Sequence, residues 1–473
     1  MNFTELTVVV DDFVWGVPLL VLLIGVGLYC SFRVGFTHFA HFGKGFRYMV
    51  SKEPGVEDGE VSAFGAFCTA MSATVGTGNI VGVATAVVIG GPGALFWMIV
   101  AALIGMGTKY AECLLAVKYR EVTEDGHVLG GPFMYILKGM GTKWKWLAQV
   151  FAVFIVGAAI LGIGTMTQAN SIVSAAETFF DPDKVHIAFM GHTWTTVIAA
   201  FIVAACAALV ILGGIKRIAS FSSAIVPFMA AVYILVTGAV LIYNASEIPA
   251  AIGAVISGAF GAHAVAGGAV GAMILAMQKG VARGCFSNEA GLGSAPIAVA
   301  AAEAKEPVRQ GLINAMGVFI DTAIICNMTG LSIIVTGSHE IGLKGAAVTA
   351  NAIGTGLPWA YSIGTFMLMV CLAFFAFTTI LGWSYYSERA LEFLVGSPKS
   401  SALTVYRWLY IIMVFLGPFI SLEAVWNIAD IFNGLIAIPN LIALLALGGV
   451  VSVETKSYFD RLKSGEITDR VQK

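Results

Sequence analysis

Small and polar residues interrupt an apolar stretch of the chain between residues 64 and 89, which has the length of a membrane-spanning helix. Residues 72–79 read Ser-Ala-Thr-Val-Gly-Thr-Gly-Asn. If the helix breaks here, its free N–H groups can bind an anion and its free carbonyl groups a cation at membrane depth. The alternative is a close contact between two helices, with Gly76 and Gly78 at the interface. This segment alone favours neither interpretation.

The composition is that of a polytopic membrane protein. Of the 473 residues, 58% are hydrophobic and 11% are charged, and the mean hydropathy is +0.88. The net charge of −2 gives no indication of a nucleic-acid partner. The seven cysteines fall mostly inside apolar segments, and no CxxC, HExxH or Walker A pattern is present. The cysteines are therefore interpreted as small buried hydrophobic residues, and the motifs give no support for an enzyme.

Eleven apolar runs of about 20 residues predict membrane helices. The fold class is therefore all-α and integral to the membrane, with about 11 transmembrane helices. The runs cover residues 12–30, 64–89, 93–117, 147–178, 194–213, 219–243, 255–282, 310–337, 358–387, 403–420 and 424–451.

Basic residues are concentrated in alternate connections between these runs. If residues 31–63 are cytoplasmic, 24 of the 26 lysines and arginines lie on or near the inside, and only Lys184 and Lys344 lie outside. The positive-inside rule then places the N-terminus outside and the C-terminus in the cytoplasm. An odd number of spans agrees with this orientation.

A second glycine-rich interruption lies in the seventh run, where residues 261–273 include Gly267, Gly268 and Gly271. The interrupted second and seventh runs are five helices apart, so two five-helix halves would enter the membrane from opposite sides, as in an inverted repeat. Since glycine is abundant, with 55 residues, a chance coincidence is the alternative. The predicted parts are an extra helix with its loop, two five-helix halves and a cytoplasmic tail: 1–63, 64–243, 255–451 and 452–473.

Several polar side chains lie deep within apolar runs. Asp321 is a carboxylate near the middle of the eighth run, where charge is costly and commonly functional, although a structural hydrogen bond is an equal alternative. Gln168 and Asn170 lie in the fourth run, and Thr378 and Thr379 are adjacent in the ninth. Threonine pairs in membrane helices either bond to their own backbone carbonyls or supply oxygens to an ion.

Four motifs carry a resemblance to a known family: Gly76-Thr-Gly-Asn-Ile80, Gly90-Gly-Pro-Gly-Ala-Leu-Phe-Trp97, Gly130-Gly-Pro-Phe-Met-Tyr135 and Asn288-Glu-Ala-Gly-Leu-Gly-Ser-Ala-Pro296. With them, the sequence is similar to the alanine or glycine:cation symporters, also called the sodium:alanine symporter family. The similarity runs from about residue 60 to about residue 450. It implies a LeuT-type fold of one extra helix and two five-helix repeats in the cell membrane. It also implies a co-transported sodium ion and alanine or glycine as substrate.

The resemblance also implies which residues bind the substrate. On the family's pattern, the unwound segment around Thr77 and Gly78 holds the substrate carboxylate with its backbone amides, between Gly76 and Asn79. The seventh run offers no motif match, so its substrate contacts are placed by depth in the membrane alone. Together with Gln168 from the fourth run, these further candidates are Gly268, Gly271, Met273 and Ile274.

Two sodium sites are implied by the same resemblance. Thr74 and Asn79 correspond to a site near the substrate. A second site would use the backbone carbonyls of Ser72 and Val75 together with two adjacent hydroxyl groups. Those hydroxyls belong to Thr378 and Thr379.

We therefore expect inward symport of alanine or glycine driven by sodium, by alternating access, without covalent chemistry and without an obligate protein partner. The choice among alanine, glycine and serine stays open. A proton-coupled transporter of the same fold that uses Asp321 is the main alternative. A channel and a membrane enzyme are rivals from other classes, but Asp321 has no carboxylate or histidine partner at motif spacing for acid–base chemistry.

Overall fold

The computed structural model describes residues 3–51, 59–124, 126–181, 183, 187–189, 191–260, 268–420 and 422–468. Helices make up most of the described chain, which confirms the predicted all-α class. Two short antiparallel hairpins lie outside the predicted membrane runs. The first pairs β1 (Glu121–Val122) with β2 (Val128–Leu129), and the second pairs β3 (Ile187–Phe189) with β4 (His192–Thr193).

Four helices precede the central part of the fold: α1 (Phe3–Val14), α2 (Val17–Arg33), α3 (Thr37–Ala40) and α4 (Phe42–Met49). A proline in the first turn of α2 suits a position whose N–H has no helical partner. In α3, the imidazole of His38 is fully buried beside the rings of Phe39 and Tyr110. The first predicted run is thus divided between α1 and α2.

The predicted interruption near residues 72–79 is confirmed. It separates α5 (Ala63–Thr74) from α6 (Val81–Gly90), and the two helices are bent by 55° around a short 3-10 turn. Ser62 starts α5 by accepting a 3.1 Å hydrogen bond from the N–H of Gly65. Residues 65–74 are all buried, so α5 is a central helix enclosed by others. We call residues 75–80 the first break.

The next helices follow the predicted runs closely. The fourth run is interrupted at residues 162–165, at the start of the segment 162–171, whose sequence departs from a plain helical pattern. A Cβ atom on Gly162 would lie 2.9 Å from the Cα atom of Ala429, so only glycine permits this approach. The helices are α7 (Gly93–Lys118), α8 (Pro132–Tyr135), α9 (Lys145–Leu161), α10 (Met166–Phe180), α11 (Trp194–Ile211) and α12 (Gly214–Tyr243).

The seventh predicted run differs from the structure. It forms α13 (Ile248–Ala259) and α14 (Ala269–Asn288), and Gly271 lies inside a regular helix. Residues 261–267, with Gly267, lie outside the described part of the chain. A described non-helical segment instead follows α14, at residues 289–295, where Glu289, Gly291 and Gly293 have positive φ angles. We call it the second break.

The remaining helices complete the fold. A π-helical segment, Phe319–Cys326, lies within the eighth predicted run and carries Asp321. The helices are α15 (Pro296–Val299), α16 (Pro307–Val318), α17 (Asn327–Val335), α18 (Ala346–Thr355), α19 (Tyr361–Val395), α20 (Ser401–Leu416) and α21 (Leu422–Ser464).

Within the described residues, nine helices are long and apolar enough to cross a membrane, and the bent pair α5–α6 would make ten. The 20-residue helix α14 is not among them because Gln278, Lys279 and Arg283 make it too polar. The protein is a multi-pass membrane protein. The predicted number of eleven spans, and the division into two repeats, stay predictions.

Two basic residues lie on the side opposite to the predicted one. Lys279 packs near Gly90, and the aliphatic part of Arg283 lies 3.7 Å from where a Cβ atom on Gly82 would be. Both therefore lie towards the 90–92 turn, which was predicted to be outside. With this correction, 22 instead of 24 lysines and arginines lie on the predicted inner side, and 4 instead of 2 lie on the predicted outer side. Most basic residues therefore still lie on the side that is predicted to be cytoplasmic.

Candidate functional site

Two side chains hold the backbone of the first break by hydrogen bonds, one from the break itself and one from α10. The N–H group of Gly76 donates to Oδ1 of Asn79 at 2.8 Å, and the N–H of Thr77 donates to Oε1 of Gln168 at 3.3 Å. The hydroxyl of Thr77 is fully buried and has no hydrogen-bond partner in the described structure. A buried polar atom without a partner is rare in native proteins, so this hydroxyl is a candidate group for binding a ligand.

Oxygen atoms from α5 and α19 meet beside the first break. The hydroxyl oxygen of Thr379 lies 3.1 Å from the carbonyl oxygen of Ser72 and 3.5 Å from that of Val75. It also lies 3.0 Å from the carbonyl oxygen of Phe375 in its own helix. Neutral oxygens of this kind suit a hard cation. Of the residues predicted for the second sodium site, Ser72, Val75 and Thr379 thus meet, and the Phe375 carbonyl is an addition that no side-chain pattern could have indicated.

The approach of α19 to α5 depends on one glycine. A Cβ atom on Gly382 would lie 2.7 Å from the Cβ atom of Ala73. Any larger residue would therefore separate the two helices and move Thr379 away from the first break.

Two predicted threonine ligands bond to their own helices instead. The hydroxyl of Thr378 donates to the carbonyls of Phe374 and Phe375, at 3.0 Å each. The hydroxyl of Thr74 donates to the carbonyl of Ala70 at 2.8 Å. Both are buried, but only Thr379 reaches α5, while the hydroxyl of Thr378 also lies 3.6 Å from the sulfur of Met229 in α12. Thr378 remains next to the oxygen cluster through the carbonyl that it shares with Thr379.

A carboxylate lies on the other side of the first break. Oδ1 of Asp321 accepts a 2.6 Å hydrogen bond from Nδ2 of Asn79, and Oδ2 accepts from the hydroxyls of Ser287 at 2.8 Å and Thr322 at 2.7 Å. Asp321 is fully buried, and its described partners are these three donors. The carboxylate therefore joins the first break to the end of α14 and to the π-helical segment. Asn327, six residues further on, is only half-buried.

The end of α14 faces the first break directly. A Cβ atom on Gly78 would lie 3.1 Å from Cδ1 of Phe286 and 3.2 Å from the Cα atom of Ser287. Phe286 and Ser287 were not predicted as site residues. The signal that could have found them is the motif that begins at Asn288, directly after Ser287 in the chain.

The predicted contacts from the start of α14 are not brought to this site. Gly268 and Gly271 are exposed, and apart from the adjacent backbone of α14 no described atom lies within 4 Å of a Cβ placed on Gly271. Met273 is half-buried and Ile274 is 38% exposed. The depth of these residues in the membrane was estimated from the apolar run 255–282. That estimate was misleading because α14 starts later than the run, and the second break follows residue 288.

Of the two polar residues predicted in the fourth run, only Gln168 reaches the first break. Asn170 instead donates to the carbonyl of Ile420 at 3.0 Å, beyond the end of α20. The glutamine also donates to the carbonyl of Ile163 at 3.0 Å. Gln168 therefore connects the interruption of the α9–α10 span to the first break.

One ion pair lies between the first break and the 90–92 turn. Arg283 of α14 binds Asp430 of α21 with two nitrogen–oxygen distances of 2.7 Å. Its guanidinium also lies over the rings of Phe286 and Trp426. This outer pair therefore covers the same end of α14 that contacts Gly78.

A larger group of charges lies at the opposite end. The guanidinium of Arg389 binds Glu60 at 3.0 Å and Glu392 at 2.8 Å, and it contacts the imidazole of His127 at 2.7 Å. His127 in turn lies 2.6 Å from Glu392. We call these four side chains the inner cluster.

Near the inner cluster, backbone hydrogen bonds join two distant segments of the chain. The N–H of Glu60 donates to the carbonyl of Ala301 at 2.9 Å, and the N–H of Glu303 donates to the carbonyl of Val61 at 2.8 Å. Arg120 donates to the carbonyls of Ala300 and Ala304, each at 2.8 Å. The segment before α5 is thus fixed to the segment after α15.

Comparisons with known proteins agree with this geometry. The model of the sodium:alanine symporter family matches residues 1–473. The chain is 50% identical over 465 residues to an uncharacterized transporter of Haemophilus influenzae, with 98% of each chain covered. It is 43% identical over 473 residues to the sodium/alanine symporter AgcS of Methanococcus maripaludis, with 98% of this chain and 99% of AgcS covered.

A solved structure supports the fold. The crystal structure of MhsT in complex with L-phenylalanine is similar with a TM-score of 0.57 and 13% sequence identity, covering 85% of this chain and 99% of MhsT. At that identity the similarity concerns the fold alone, which is of the LeuT type. The family and the relatives are transporters, so the expectation of a transporter and not an enzyme is confirmed. Since the family model spans the whole chain and close relatives cover nearly all of it, this chain belongs to the sodium:alanine symporter family.

Proposed function

We propose that this protein moves alanine or another small neutral amino acid into the cell together with sodium. The observation that carries the proposal is the position of the Thr379 hydroxyl, which lies 3.1 Å from the Ser72 carbonyl at the first break. This contact links α5 to α19 through oxygens that are not fully used by helical hydrogen bonds. A sodium ion bound there would hold the two helices together, and substrate binding at the same break would depend on it.

The proposed ion ligands are the carbonyls of Ser72, Val75 and Phe375 with the hydroxyl of Thr379. Thr378 would join them if its hydroxyl turned away from the Phe374 carbonyl. Asn79 is proposed as a ligand for a second sodium ion nearer the substrate, beside the carboxylate of Asp321. Thr74 would contribute there only by giving up its bond to Ala70.

The proposed substrate position lies at Thr77 and Gly78. An amino acid is a zwitterion, so its carboxylate needs donors and its ammonium group needs acceptors. The N–H of Gly78 would bind the carboxylate, together with the unpartnered hydroxyl of Thr77, and the N–H of Thr77 would join them if it gave up its bond to Gln168. Gln168 lies next to Thr77, and Phe286 limits the space opposite Gly78.

We propose that alternating access depends on two groups of charged side chains, one at each end of the site. The Arg283–Asp430 pair lies on one side of the substrate position, and the inner cluster around Arg389 lies on the other. Opening one while the other stays closed would expose the site to one side at a time. We further propose the cell membrane as the location, with the N-terminus outside and the C-terminus in the cytoplasm, on the basis of the distribution of lysine and arginine.

Proton coupling through Asp321 is the second candidate function. It is favoured by one observation: no basic side chain lies at ion-pair distance from this buried carboxylate in the described structure. A proton could therefore replace the sodium ion as its neutralising charge. The three donors around Asp321 equally suit a carboxylate beside a metal cation.

Uptake of labelled alanine into proteoliposomes tests both candidates. An inward sodium gradient at equal pH on both sides should drive accumulation, and an equal potassium gradient should not. An inward proton gradient without sodium, with a protonophore as control, should give no accumulation. Accumulation driven by protons alone would contradict sodium coupling and favour the Asp321 candidate.

A further inference from the structure

Asn433 lies in α21 with its side chain fully buried, and neither atom of its carboxamide has a hydrogen-bond partner among the described residues. A buried amide with both its donor and its acceptor unpaired is strongly unfavourable. Native proteins pair such groups with protein, water or a ligand. This amide therefore points to something that binds beside it.

Neighbouring residues show which way Asn433 faces. Phe432 packs towards Gly157 of α9, and Gly434 packs towards Val14 at the end of α1. These two neighbours are each about 100° away from Asn433 around the helix. The side chain of Asn433 therefore points towards neither α9 nor α1, but outwards between the directions of these two helices.

Residues on the same face of α21 contact the end of α14. Trp426 stacks on Phe286 with ring centres 5.1 Å apart, and Asp430 binds Arg283. Further along, Asn440 donates to the carbonyl of Gly291 at 2.9 Å, in the second break. Spacings of three, four and seven residues place side chains on one face of a helix.

Along this face of α21, Asn433 thus lies between the residue that contacts Phe286 and the residue that contacts Gly291. This is the region in which α14 ends beside the first break. Phe286 and Ser287 are the residues against which Gly78 packs. On the same face of α21, Nε1 of Trp426 also has no partner in the described structure. The unpaired groups of α21 therefore lie on the face that contacts the end of α14, and that end is the segment against which Gly78 packs.

We propose that Asn433 determines substrate specificity by binding a neutral hydrogen-bonding side chain of the substrate, such as the hydroxyl of serine. This inference rests on the proposed function and extends it. A carboxamide offers one donor group and one acceptor without charge, so it matches a hydroxyl or carboxamide and gives no compensation to a charged side chain. Alanine would leave the amide unpaired, so serine is the better substrate.

Competition against labelled alanine uptake in proteoliposomes tests the inference, because serine and alanine differ by one hydroxyl. In the wild type, serine should inhibit at a concentration about tenfold lower than unlabelled alanine, as expected for one hydrogen bond to a buried group. In Asn433→Leu, which has a similar shape but no polar atoms, the two amino acids should inhibit equally. The readout is the ratio of the two inhibitory concentrations and not the rate of alanine uptake.

A matched control lies in the same helix. The amide of Asn427 donates to the hydroxyl of Thr7 at 3.2 Å, so it already has a partner. Asn427→Leu removes the same group from α21 and should leave the tenfold ratio unchanged. If Asn433→Leu aggregates in detergent, Asn433→Ala removes the amide without added shape constraints and is judged by the same ratio.

The outcomes separate this inference from the function on which it rests. Equal inhibition by serine and alanine in the wild type, or an unchanged ratio in the Asn433 variants, would overturn the role of Asn433 and leave alanine transport standing. Absence of any sodium-dependent uptake in the wild type would overturn the proposed function and this inference together. A changed ratio in Asn427→Leu would show that the effect is not specific to Asn433.

Discussion

The carboxamide of Asn79 donates a 2.6 Å hydrogen bond to the carboxylate of Asp321, which lies 242 positions later in the chain. The other oxygen of Asp321 accepts from Ser287, at the end of α14. A single buried carboxylate thus holds three separate segments at the first break. Changes to Asp321 should therefore affect the shape of the site as well as its charge.

Asp321→Asn should fold and keep sodium-dependent alanine uptake at a reduced rate. The hydroxyls of Ser287 and Thr322 can accept as well as donate, so the new amide group finds partners. The loss of charge-assisted hydrogen bonds should cost about 1–3 kcal/mol. The measurement is alanine uptake across a range of sodium concentrations. A variant that exchanges alanine but no longer accumulates it would instead indicate that Asp321 carries a coupled proton.

Thr379→Val should raise the sodium concentration for half-maximal alanine binding by about tenfold, since it removes one ligand oxygen at a cost of about 1.4 kcal/mol. Thr378→Val should have a smaller effect because that hydroxyl bonds to its own helix. The double variant should match or exceed Thr379→Val. Alanine binding to purified protein across a sodium titration checks all three.

Thermodynamic linkage sharpens this prediction. If sodium promotes alanine binding, alanine must promote sodium binding by the same factor. Saturating sodium should therefore restore most of the alanine affinity of Thr379→Val. An unchanged sodium midpoint, or a loss of affinity that sodium cannot restore, would show that these threonines do not bind the ion.

Gly78→Val should abolish transport while the protein still folds. Its Cβ atom would lie 3.1 Å from Phe286 and 3.2 Å from the backbone of Ser287, so the first break and α14 would have to separate. Gly271→Val is the control, since among the described residues outside the adjacent turns of α14 a Cβ atom at Gly271 meets nothing within 4 Å. Alanine uptake by well-expressed proteins is the measurement. Near-normal uptake by Gly78→Val would contradict the proposed substrate position.

Arg389→Gln should lower alanine affinity severalfold because it opens the inner cluster and favours states exposed to the cytoplasm. Removing one partner of a buried ion pair leaves the other charge uncompensated, at about 3–5 kcal/mol. Arg407→Gln, which breaks a more exposed pair with Glu388, should change the affinity less than twofold. Alanine binding and thermal stability in detergent provide the test. Equal effects of the two variants would argue against an inner gate at Arg389.

The buried imidazole of His38 should make the free energy of unfolding decrease in mild acid. Burial lowers the pKa of its imidazole from 6.5 to about 4. Between these values the unfolded chain binds a proton that the folded chain does not, so stability falls as the pH falls through this window. The loss is about 1.4 kcal/mol for each pH unit. The melting temperature between pH 6.5 and pH 4.5 should therefore fall more steeply in the wild type than in His38→Phe, and parallel slopes would contradict this.

The membrane helices could be predicted well from sequence because apolar length is a direct requirement of the bilayer. The break at residues 72–79 was also visible, since glycine and hydroxyl residues rarely interrupt a lipid-facing helix. For the interruption predicted at residues 261–273, residues 261–267 lie between α13 and α14, outside the described part of the chain, and Gly271 lies inside α14. The second break follows Asn288 and includes Gly291 and Gly293 with positive φ angles, and it was not predicted as a break in a membrane helix.

Side-chain partners were harder to predict than helix positions. The threonine pair was recognised only through the family resemblance, and the structure distinguishes Thr379, which crosses to α5, from Thr378, which does not. The Phe375 carbonyl and the Ser287 hydroxyl depend on how two helices are rotated about their axes. Hydrophobic periodicity in a helix that is buried on all sides does not fix that rotation.

The backbone bonds that join Glu60 and Val61 to residues 301–303 also have a consequence for biosynthesis. About 240 residues separate the two partners, and at about 5–20 residues per second the ribosome needs tens of seconds to make them. During that time the start of α5 cannot be anchored. A nascent chain that ends before residue 300 should therefore expose residues 59–62 to protease, and one that extends beyond α16 should protect them.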